Sequence, residues 1–316
     1  GASAPWADYQ LRPNVLVAMV EAPHLFDAEH ARRCLRLVER TLLGALGVRT
    51  LDPRDARYRP HYDTAADTDD YHTSKGFNYH NGPQWMWPFG FFVRAYAHFN
   101  PHALARDALR ARLGQYLDPT VGTDGKPPYP YVGTDSPFFI GGLRQNDLVY
   151  DTTWGGLPTR QGALHPGPAW VYNDTQPDFG SGGMNDHMFH YGYYLYGVAA
   201  LLRARADDDV RWYARVEQRV LVMARDIANT NQHADPYFAQ LRHKSDWYEA
   251  HAWARGLYPA ALTASNIEST SEALNAWYAL HLLGVALDAV AARLAEPDAH
   301  RSLAATLRAL GEVLLV

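Results

Sequence analysis

The sequence has only one cysteine, Cys34, so no disulfide can form within its 316 residues. Cys34 stands at helical spacing from Ala31, Leu35 and Val38, which favours a structural thiol over a nucleophile. The net charge of −5 gives no electrostatic reason to expect a nucleic acid or an anionic membrane as partner. No apolar run is expected to reach bilayer-spanning length, and no signal peptide pattern begins the chain.

Aromatic residues are abundant. The chain contains 9 Trp and 20 Tyr, and aromatic residues make up 13% of the sequence. A hydrophobic content of 47% is typical of a folded globular protein. Aromatic rings stack on sugar rings and also fill protein cores, so composition alone does not choose between these roles.

Apolar residues recur at a helical period along most of the chain, and strands and helices do not alternate. Asp27 is placed to cap a long helix that runs to about Leu43. Further helices are predicted at about residues 89–99, 100–116, 186–206 and 269–294, with others beginning near residues 209 and 297. Residues 118–183, where Gly and Pro recur, are predicted as loops with short strands or a hairpin near a site. The predicted fold is all-α, built of helical hairpins with long loops at one end.

Two carboxylates, Glu268 and Glu272, stand where a helix is predicted to begin, at a spacing that would place them on one helix face. They can be interpreted as first-turn acids of a solvated helix, because a helix N-terminus tolerates negative charge. A second acidic cluster lies upstream, where Asp186 and His190 have the same spacing. Two separated carboxylate sites in an aromatic-rich chain suggest a glycoside hydrolase.

Several long motifs follow one another between about residues 147 and 290. They are Tyr150-Asp151-Thr152-Thr153-Trp154-Gly155-Gly156, Asp178-Phe179-Gly180, Asn185-Asp186-His187-Met188-Phe189-His190-Tyr191-Gly192-Tyr193, Arg225-Asp226-Ile227-Ala228-Asn229, Asp235-Pro236-Tyr237-Phe238, Asp246-Trp247-Tyr248, His251-Ala252-Trp253-Ala254 and the run around Glu268. In content and order they resemble the catalytic module of glycoside hydrolase family 81, the endo-β-1,3-glucanases.

This resemblance implies an (α/α)6 toroid and hydrolysis with inversion, in which one carboxyl protonates the leaving oxygen and one carboxylate activates water. It makes Asp186 the general acid, Glu268 the general base and Glu272 an orienting partner or a second acid. The substrate-binding positions that it implies are Asp151, Trp154, His190, Tyr193, Asp246, His251 and Trp253. Six of them could instead have a structural role, namely Trp154, His190, Tyr193, Asp246, His251 and Trp253.

The implied partner is a polysaccharide or an oligosaccharide, with no cofactor, and the family resemblance favours an extracellular location. A catalytic metal is not expected, because the histidines at positions 187, 190, 233, 243 and 251 lack the spacing of metal ligands.

Residues 8–100 carry a different set of motifs. They are Tyr9-Gln10-Leu11-Arg12-Pro13-Asn14, Leu51-Asp52-Pro53, Lys75-Gly76-Phe77-Asn78-Tyr79-His80 and Gly82-Pro83-Gln84-Trp85-Met86-Trp87-Pro88. These motifs resemble the C-terminal glucosidase region of glycogen debranching enzymes, which also has an (α/α)6 toroid. Gln84 stands where that family has a Glu, and an amide cannot activate water as a base would. Residues 8–100 are therefore predicted to form a scaffold and a wall of the site.

The expected organisation is one toroid-like domain over residues 1–316. It comprises a debranching-enzyme-like half at 1–117, a junction at 118–146 and a family-81-like half at 147–316. Two alternatives remain open beside an inverting endo-β-1,3-glucanase. The first is an α-glucan debranching-type glucosidase or binder, and the second is a catalytically silent toroid scaffold produced by recombination or design.

Overall fold

A computed structural model describes residues 8–44, 47–60, 78, 80–100, 148–159, 162, 177–204, 210–231, 233–238, 254–257 and 268–315. These residues form mainly α-helices. The helices are α1 (Asn14–Glu21), α2 (Ala28–Thr41), α3 (Trp87–Phe99), α4 (His187–Ala204), α5 (Arg211–Ala228), α6 (Thr270–Val290) and α7 (Pro297–Leu315). Short 3-10 segments occur at Pro23–Leu25, Pro177–Gly183 and Ala291–Arg293. The prediction of an all-α fold is confirmed.

Two short strands provide the only sheet within the described ranges. β1 (Val48–Arg49) pairs antiparallel with β2 (Gln84–Trp85), and Val48 lies opposite Trp85. A separate hairpin spans residues 148–159, where Leu148 bridges Thr159 and Asp151 bridges Gly156. The expectation of a hairpin within residues 118–183 is therefore confirmed, whereas the helix predicted at 100–116 lies outside the described residues.

Helix α2 shows how local sequence determines these elements. The Asp27 side chain accepts hydrogen bonds from the backbone amides of Glu29 and His30, which have no partner within the helix. The inner face of the helix is buried through Ala31, Leu35 and Val38. Cys34 is half-buried on the same helix, and burial raises the pKa of its thiol, which disfavours the reactive thiolate. The helix, its cap and its inner face follow the prediction.

Helix α4 lies at the centre of the fold and is buried on all sides. It packs most extensively against α6, then against α3 and α5, while α7 covers the outer side of α6. The backbones of α4 and α6 approach closely at Gly192, where an added Cβ would lie 2.6 Å from the Cβ of Ala276. Small residues at this crossing allow the two helices to come together, and the N-terminus of α4 consequently begins inside the protein.

Helix α6 corrects the expectation about long apolar runs. The stretch Thr270–Arg293, whose most apolar window of 18 residues has a mean hydropathy of 1.3, is long and apolar enough to cross a membrane by length and composition. More than half of its most apolar window, 56%, is buried against other parts of the protein. Because α4 and α7 cover it from two sides, α6 carries the composition of a core helix.

The α4–α6 crossing gives a test of the packing. Gly192→Ala gains about 1 kcal/mol in helix propensity but forces a methyl group against Ala276, at a cost of about 1–3 kcal/mol. We expect lower stability in urea unfolding of Gly192→Ala and no full recovery in the double variant with Ala276→Gly, because the added methyl carbon would still lie 2.7 Å from the Ala276 Cα. A single variant that is more stable than the wild type would contradict the close crossing.

Candidate active site

Asp186 lies between the Pro177–Gly183 segment and the first turn of α4. Its backbone N–H donates to the carbonyl of Ala254 at 2.8 Å, and its carbonyl accepts from the His190 amide at 3.0 Å. The side chain is buried, with the residue only 9% exposed. Its Oδ1 atom has no hydrogen-bond partner among the described residues. A buried carboxylate oxygen without a partner favours the protonated form, which suits a general acid.

The electrostatics of Asp186 act in the same direction. Burial raises the pKa of Asp186 well above its ordinary value, and the charges of Glu268 and Glu272 raise it further. Arg255 and a hydrogen bond with Asn185 oppose this shift with smaller effects. The three predicted catalytic carboxyl groups are therefore close enough to influence one another.

Glu268 and Glu272 are arranged differently from the prediction. Helix α6 begins at Thr270, so the expectation that both carboxylates share one helix face is wrong. Ser269 is the N-cap, and its hydroxyl accepts from the Glu272 amide at 3.4 Å, as in a capping box. Glu268 precedes this cap in a left-handed conformation with φ 55°, and it is exposed. The cap therefore separates an exposed loop carboxylate from a carboxylate in the first helical turn.

Backbone strain is concentrated around these residues. Within the described ranges, the non-glycine residues with positive φ are Phe179, Met184, Asp186 and Glu268. Such conformations cost about 1–3 kcal/mol each and persist only where the surrounding structure holds them. Gly256 also has a positive φ, and a Cβ at this position would lie 2.2 Å from the carbonyl oxygen of Gly183. The strained turn before α4 is therefore enclosed by the segment at 254–257.

His190 follows Asp186 by one turn on α4. Burial lowers the pKa of His190 to about 3, and the nearby His187 contributes to the shift. The ring lies edge-on to Phe179, with 5.7 Å between the ring centroids. A neutral imidazole next to Asp186 does not favour ionisation of the carboxyl group. His190 is thus linked to Asp186 through its backbone amide, and its role in substrate binding stays a prediction.

Tyr193 connects α4 to the acidic end of α6. Its hydroxyl donates to Glu272 Oε1 at 3.0 Å. This bond directs the Glu272 carboxylate towards the face of α4 on which Tyr193 lies. Tyr193 was predicted to bind substrate, and the structure gives it a hydrogen bond to a predicted catalytic residue.

The hairpin at 148–159 carries two predicted binding residues. Asp151 Oδ1 accepts from the amides of Thr153 and Trp154 at 2.7 and 3.3 Å, so this carboxylate forms the turn. Trp154 at the tip is 53% exposed and presents an aromatic surface to solvent. The other three predicted binding residues, Asp246, His251 and Trp253, lie outside the described residues.

A buried hydrogen-bond chain below the acid was missed by the sequence analysis. His187 Nδ1 lies 2.8 Å from Asp226 Oδ2, and His187 Nε2 lies 3.2 Å from the Ser181 hydroxyl. The three residues come from separate segments, so no sequence spacing signals the chain. Its connectivity is that of a Ser-His-Asp triad. Ser181 is only 2% exposed and its hydroxyl already accepts from the Thr159 amide, so it is not accessible as a nucleophile.

Comparison with known proteins identifies the relatives of this site. The family model described as "Glycosyl hydrolase family 81 C-terminal domain" matches residues 134–304, which is more than half of the chain. The chain belongs to glycosyl hydrolase family 81. A second family model, "Amylo-alpha-1,6-glucosidase", matches residues 1–119. Both predicted resemblances are therefore confirmed.

Individual relatives show the same division. The glucan endo-1,3-beta-D-glucosidase of Glycine max is 33% identical over 153 residues, covering 48% of this chain and 21% of that protein. The corresponding protein of Acetivibrio thermocellus is 36% identical over 144 residues, covering 44% and 16%. The glycogen debranching enzyme of Saccharomyces cerevisiae is 52% identical over 115 residues, covering 36% and 8%. The chain spans less than a quarter of the length of each of these relatives.

A solved structure, described as a glycoside hydrolase family 81 from Clostridium thermocellum, matches 72% of this chain and 26% of that chain. The identity is 25% and the TM-score is 0.43.

Two other features bear on the chemistry of this family 81 chain. Within the described ranges, no three His, Cys, Asp or Glu side chains converge in a way that could hold a metal ion. A cavity of about 480 Å³ opens between the later turns of α3 and α4, and its polar lining includes Arg94, His98 and Arg203 but no carboxylate. This cavity is therefore separate from the acidic site.

The burial of Asp186 predicts an effect on stability. The pKa of Asp186 in the native state is raised above the ordinary value of 3.8. Between pH 3.8 and the raised native pKa, the native state therefore holds more protons than the unfolded state. The wild type therefore loses stability as pH rises through this window. Asp186→Asn removes the charge and tolerates the left-handed backbone, so it should be more stable than the wild type, by up to about 1.4 kcal/mol per pH unit within the window.

Urea unfolding of both proteins from about pH 4 to pH 8 measures this difference. Asp298→Asn removes an acid that is 98% exposed and serves as the control. If the difference in free energy of unfolding between Asp186→Asn and the wild type does not grow with pH, Asp186 is readily ionised in the native protein.

Proposed function

We propose that this chain catalyses inverting endo-hydrolysis of β-1,3-glucan, with Asp186 as the general acid and Glu268 as the general base. The observation that carries the proposal is the contrast between the two carboxyl groups. Asp186 is buried with one oxygen lacking a partner and with a raised pKa, whereas Glu268 is exposed at the start of α6. Pairs of carboxyl groups in contrasting environments are typical of acid and base pairs.

The proposed reaction has a defined flow of protons and electrons. Asp186 gives its proton to the glycosidic oxygen as the bond from that oxygen to the anomeric carbon breaks. Glu268 takes a proton from a water molecule, which attacks the anomeric carbon from the opposite face. The new reducing end therefore has the α configuration. Asp186 regains a proton and Glu268 loses one to solvent, which restores the starting state.

Glu272 is best suited to support the acid. Its charge helps to raise the pKa of Asp186, and its Oε1 accepts a hydrogen bond from the Tyr193 hydroxyl. This hydrogen bond fixes the position of the Glu272 carboxylate beside α4, which suits an orienting role better than that of a second proton donor. We therefore propose that Glu272 keeps Asp186 protonated and that Tyr193 orients Glu272.

The proposed substrate class rests on the relatives and on the exposed aromatic surface. Relatives from plant and bacterial sources that match the second half of the chain are named glucan endo-1,3-beta-D-glucosidases. Trp154 presents an aromatic face to solvent on the hairpin, which is suited to stacking on a glucose ring. We include Asp246, His251 and Trp253 as further proposed contacts to the glucan.

A second candidate function follows from residues 1–119, which match the amylo-α-1,6-glucosidase family. Against it stands Gln84, which is only 8% exposed on β2 and packs so tightly on Gly44 that a Cβ there would lie 1.8 Å from Gln84 Oε1. The amide at this position cannot act as a base. We therefore propose that this half forms part of the scaffold of a β-1,3-glucanase.

Hydrolysis assays distinguish the candidates. We expect release of reducing ends from laminarin and none from glycogen limit dextrin. Asp186→Asn and Glu268→Gln should each lower kcat by at least about 100-fold, since each removes one of the two proton transfers. Proton NMR of the first products should show the α-anomer.

Several results would overturn these assignments. Activity on limit dextrin alone would favour the debranching function. Full laminarin hydrolysis by either variant would remove that residue from its role. A cooperative thermal melt without hydrolysis of either glucan would indicate a catalytically silent toroid.

A further inference from the structure

Asp226, His187 and Ser181 form a buried hydrogen-bond chain. This hydrogen-bond chain contacts both the hairpin at 148–159 and the turn before α4. Asp226 Oδ2 pairs with His187, and Asp226 Oδ1 accepts from the Leu157 amide at 2.9 Å. The Ser181 hydroxyl lies beside His187 and accepts from the Thr159 amide at 3.0 Å. The hydrogen-bond chain therefore holds the second strand of the hairpin through the amides of Leu157 and Thr159.

The hydrogen-bond chain is also linked directly to Asp186. His187 is the first residue of α4 and follows Asp186 in the sequence. It is fully buried, and Asp226 is only 4% exposed. The residues around this hydrogen-bond chain are tightly packed. A Cβ on Gly156 would lie only 2.6 Å from Met184 Sδ and 3.1 Å from Asp226 Oδ1. Movement of Asp226 would therefore disturb the hairpin and the turn before α4 together.

The Asp226 carboxylate favours a proton on Nδ1 of His187. With a proton on Nδ1, His187 donates to Asp226, and its Nε2 can accept from the Ser181 hydroxyl. The Ser181 oxygen remains available to accept from Thr159. If the proton were on Nε2, it would instead face the Ser181 carbonyl at 3.0 Å, and the hydroxyl would lose its acceptor. Asp226 therefore fixes which ring nitrogen of His187 carries the proton that faces it.

We propose that His187 and Asp226 are positioning residues that hold the turn bearing Asp186 and the hairpin bearing Trp154 in one fixed arrangement. For its catalytic consequence this inference rests on the proposed function. The three side chains are buried and do not reach the protein surface. They act through the backbone of Asp186 on one side and through Leu157 and Thr159 on the other. Their effect is to keep water away from the acid and to place the aromatic tip relative to it.

Asp226→Asn tests the proposal with almost no change in volume. The amide oxygen can still accept from Leu157, but the amide nitrogen faces Nδ1 of His187 and forces the other tautomer. We expect kcat on laminarin to fall by about 10–100-fold, because small displacements of a reacting group have effects of this size. We also expect the alkaline limb of the pH profile to move to lower pH as water reaches Asp186.

A matched control lies on the same helix as Asp226. Glu217 on α5 pairs with His300 Nε2 at 2.8 Å, and both side chains are largely buried. Glu217→Gln therefore also removes a carboxylate from a histidine pair. We expect it to leave kcat and the pH profile unchanged. Equal effects of the two variants would mean that loss of any such pair weakens the fold, and this would overturn the proposal.

A second measurement does not depend on activity. The Asp186 carboxyl can be titrated by carbon-13 NMR in protein labelled at aspartate, with Asp186→Asn used to assign its signal. We expect a lower pKa for Asp186 in Asp226→Asn than in the wild type, and no change in Glu217→Gln. An Asp186 titration identical in all three proteins would overturn the positioning role, even if the protein did not hydrolyse laminarin. Activity retained in Asp186→Asn would instead overturn the proposed function alone.

Discussion

The enclosure of α4 on all sides is the constraint on which the site depends. Most helices at the surface of a globular protein keep one polar face in water, whereas α4 is covered by α3, α5 and α6. Its N-terminus consequently begins in the interior, and so does Asp186. A helix N-terminus by itself favours the ionised carboxylate. Here burial and the charges of Glu268 and Glu272 outweigh that effect and raise the pKa of Asp186.

The irregular segments around the N-terminus of α4 hold Asp186 in position. The turn before α4 is held by hydrogen bonds from Asp186 to Ala254 and from Leu257 to Gly183. The hairpin at 148–159 is fastened to the same region through Asp226 and Ser181. Positive φ values at Met184 and Asp186 can persist because these contacts leave the backbone no alternative. A rigid core therefore positions a strained turn, and the turn positions the carboxyl group.

Much of the fold was predictable from local sequence. The cap at Asp27 and the apolar face of α2 are short-range features, and the ordered motifs alone were enough to indicate both families. The start of α6 was predicted to within one residue, but the spacing of Glu268 and Glu272 wrongly indicated that both lie on one helix face. Ser269 determines the true start, since its hydroxyl accepts from the Glu272 amide. The hydrogen-bond chain of Ser181, His187 and Asp226 was missed because tertiary packing, and not spacing, brings Asp226 on α5 against the other two residues.

The contact between α3 and α4 links the two families within one chain. Helix α3 comes from the segment related to debranching enzymes, and α4 comes from the family 81 segment. Gly90 on α3 leaves room for the ring of Tyr196 on α4, because a Cβ there would lie 2.2 Å from Tyr196 Cδ1. Arg94 Nη1, one turn later, donates to the Tyr196 hydroxyl at 2.6 Å. Any residue larger than glycine at position 90 therefore requires a smaller side chain at position 196, so the segment from one family limits what the segment from the other can carry.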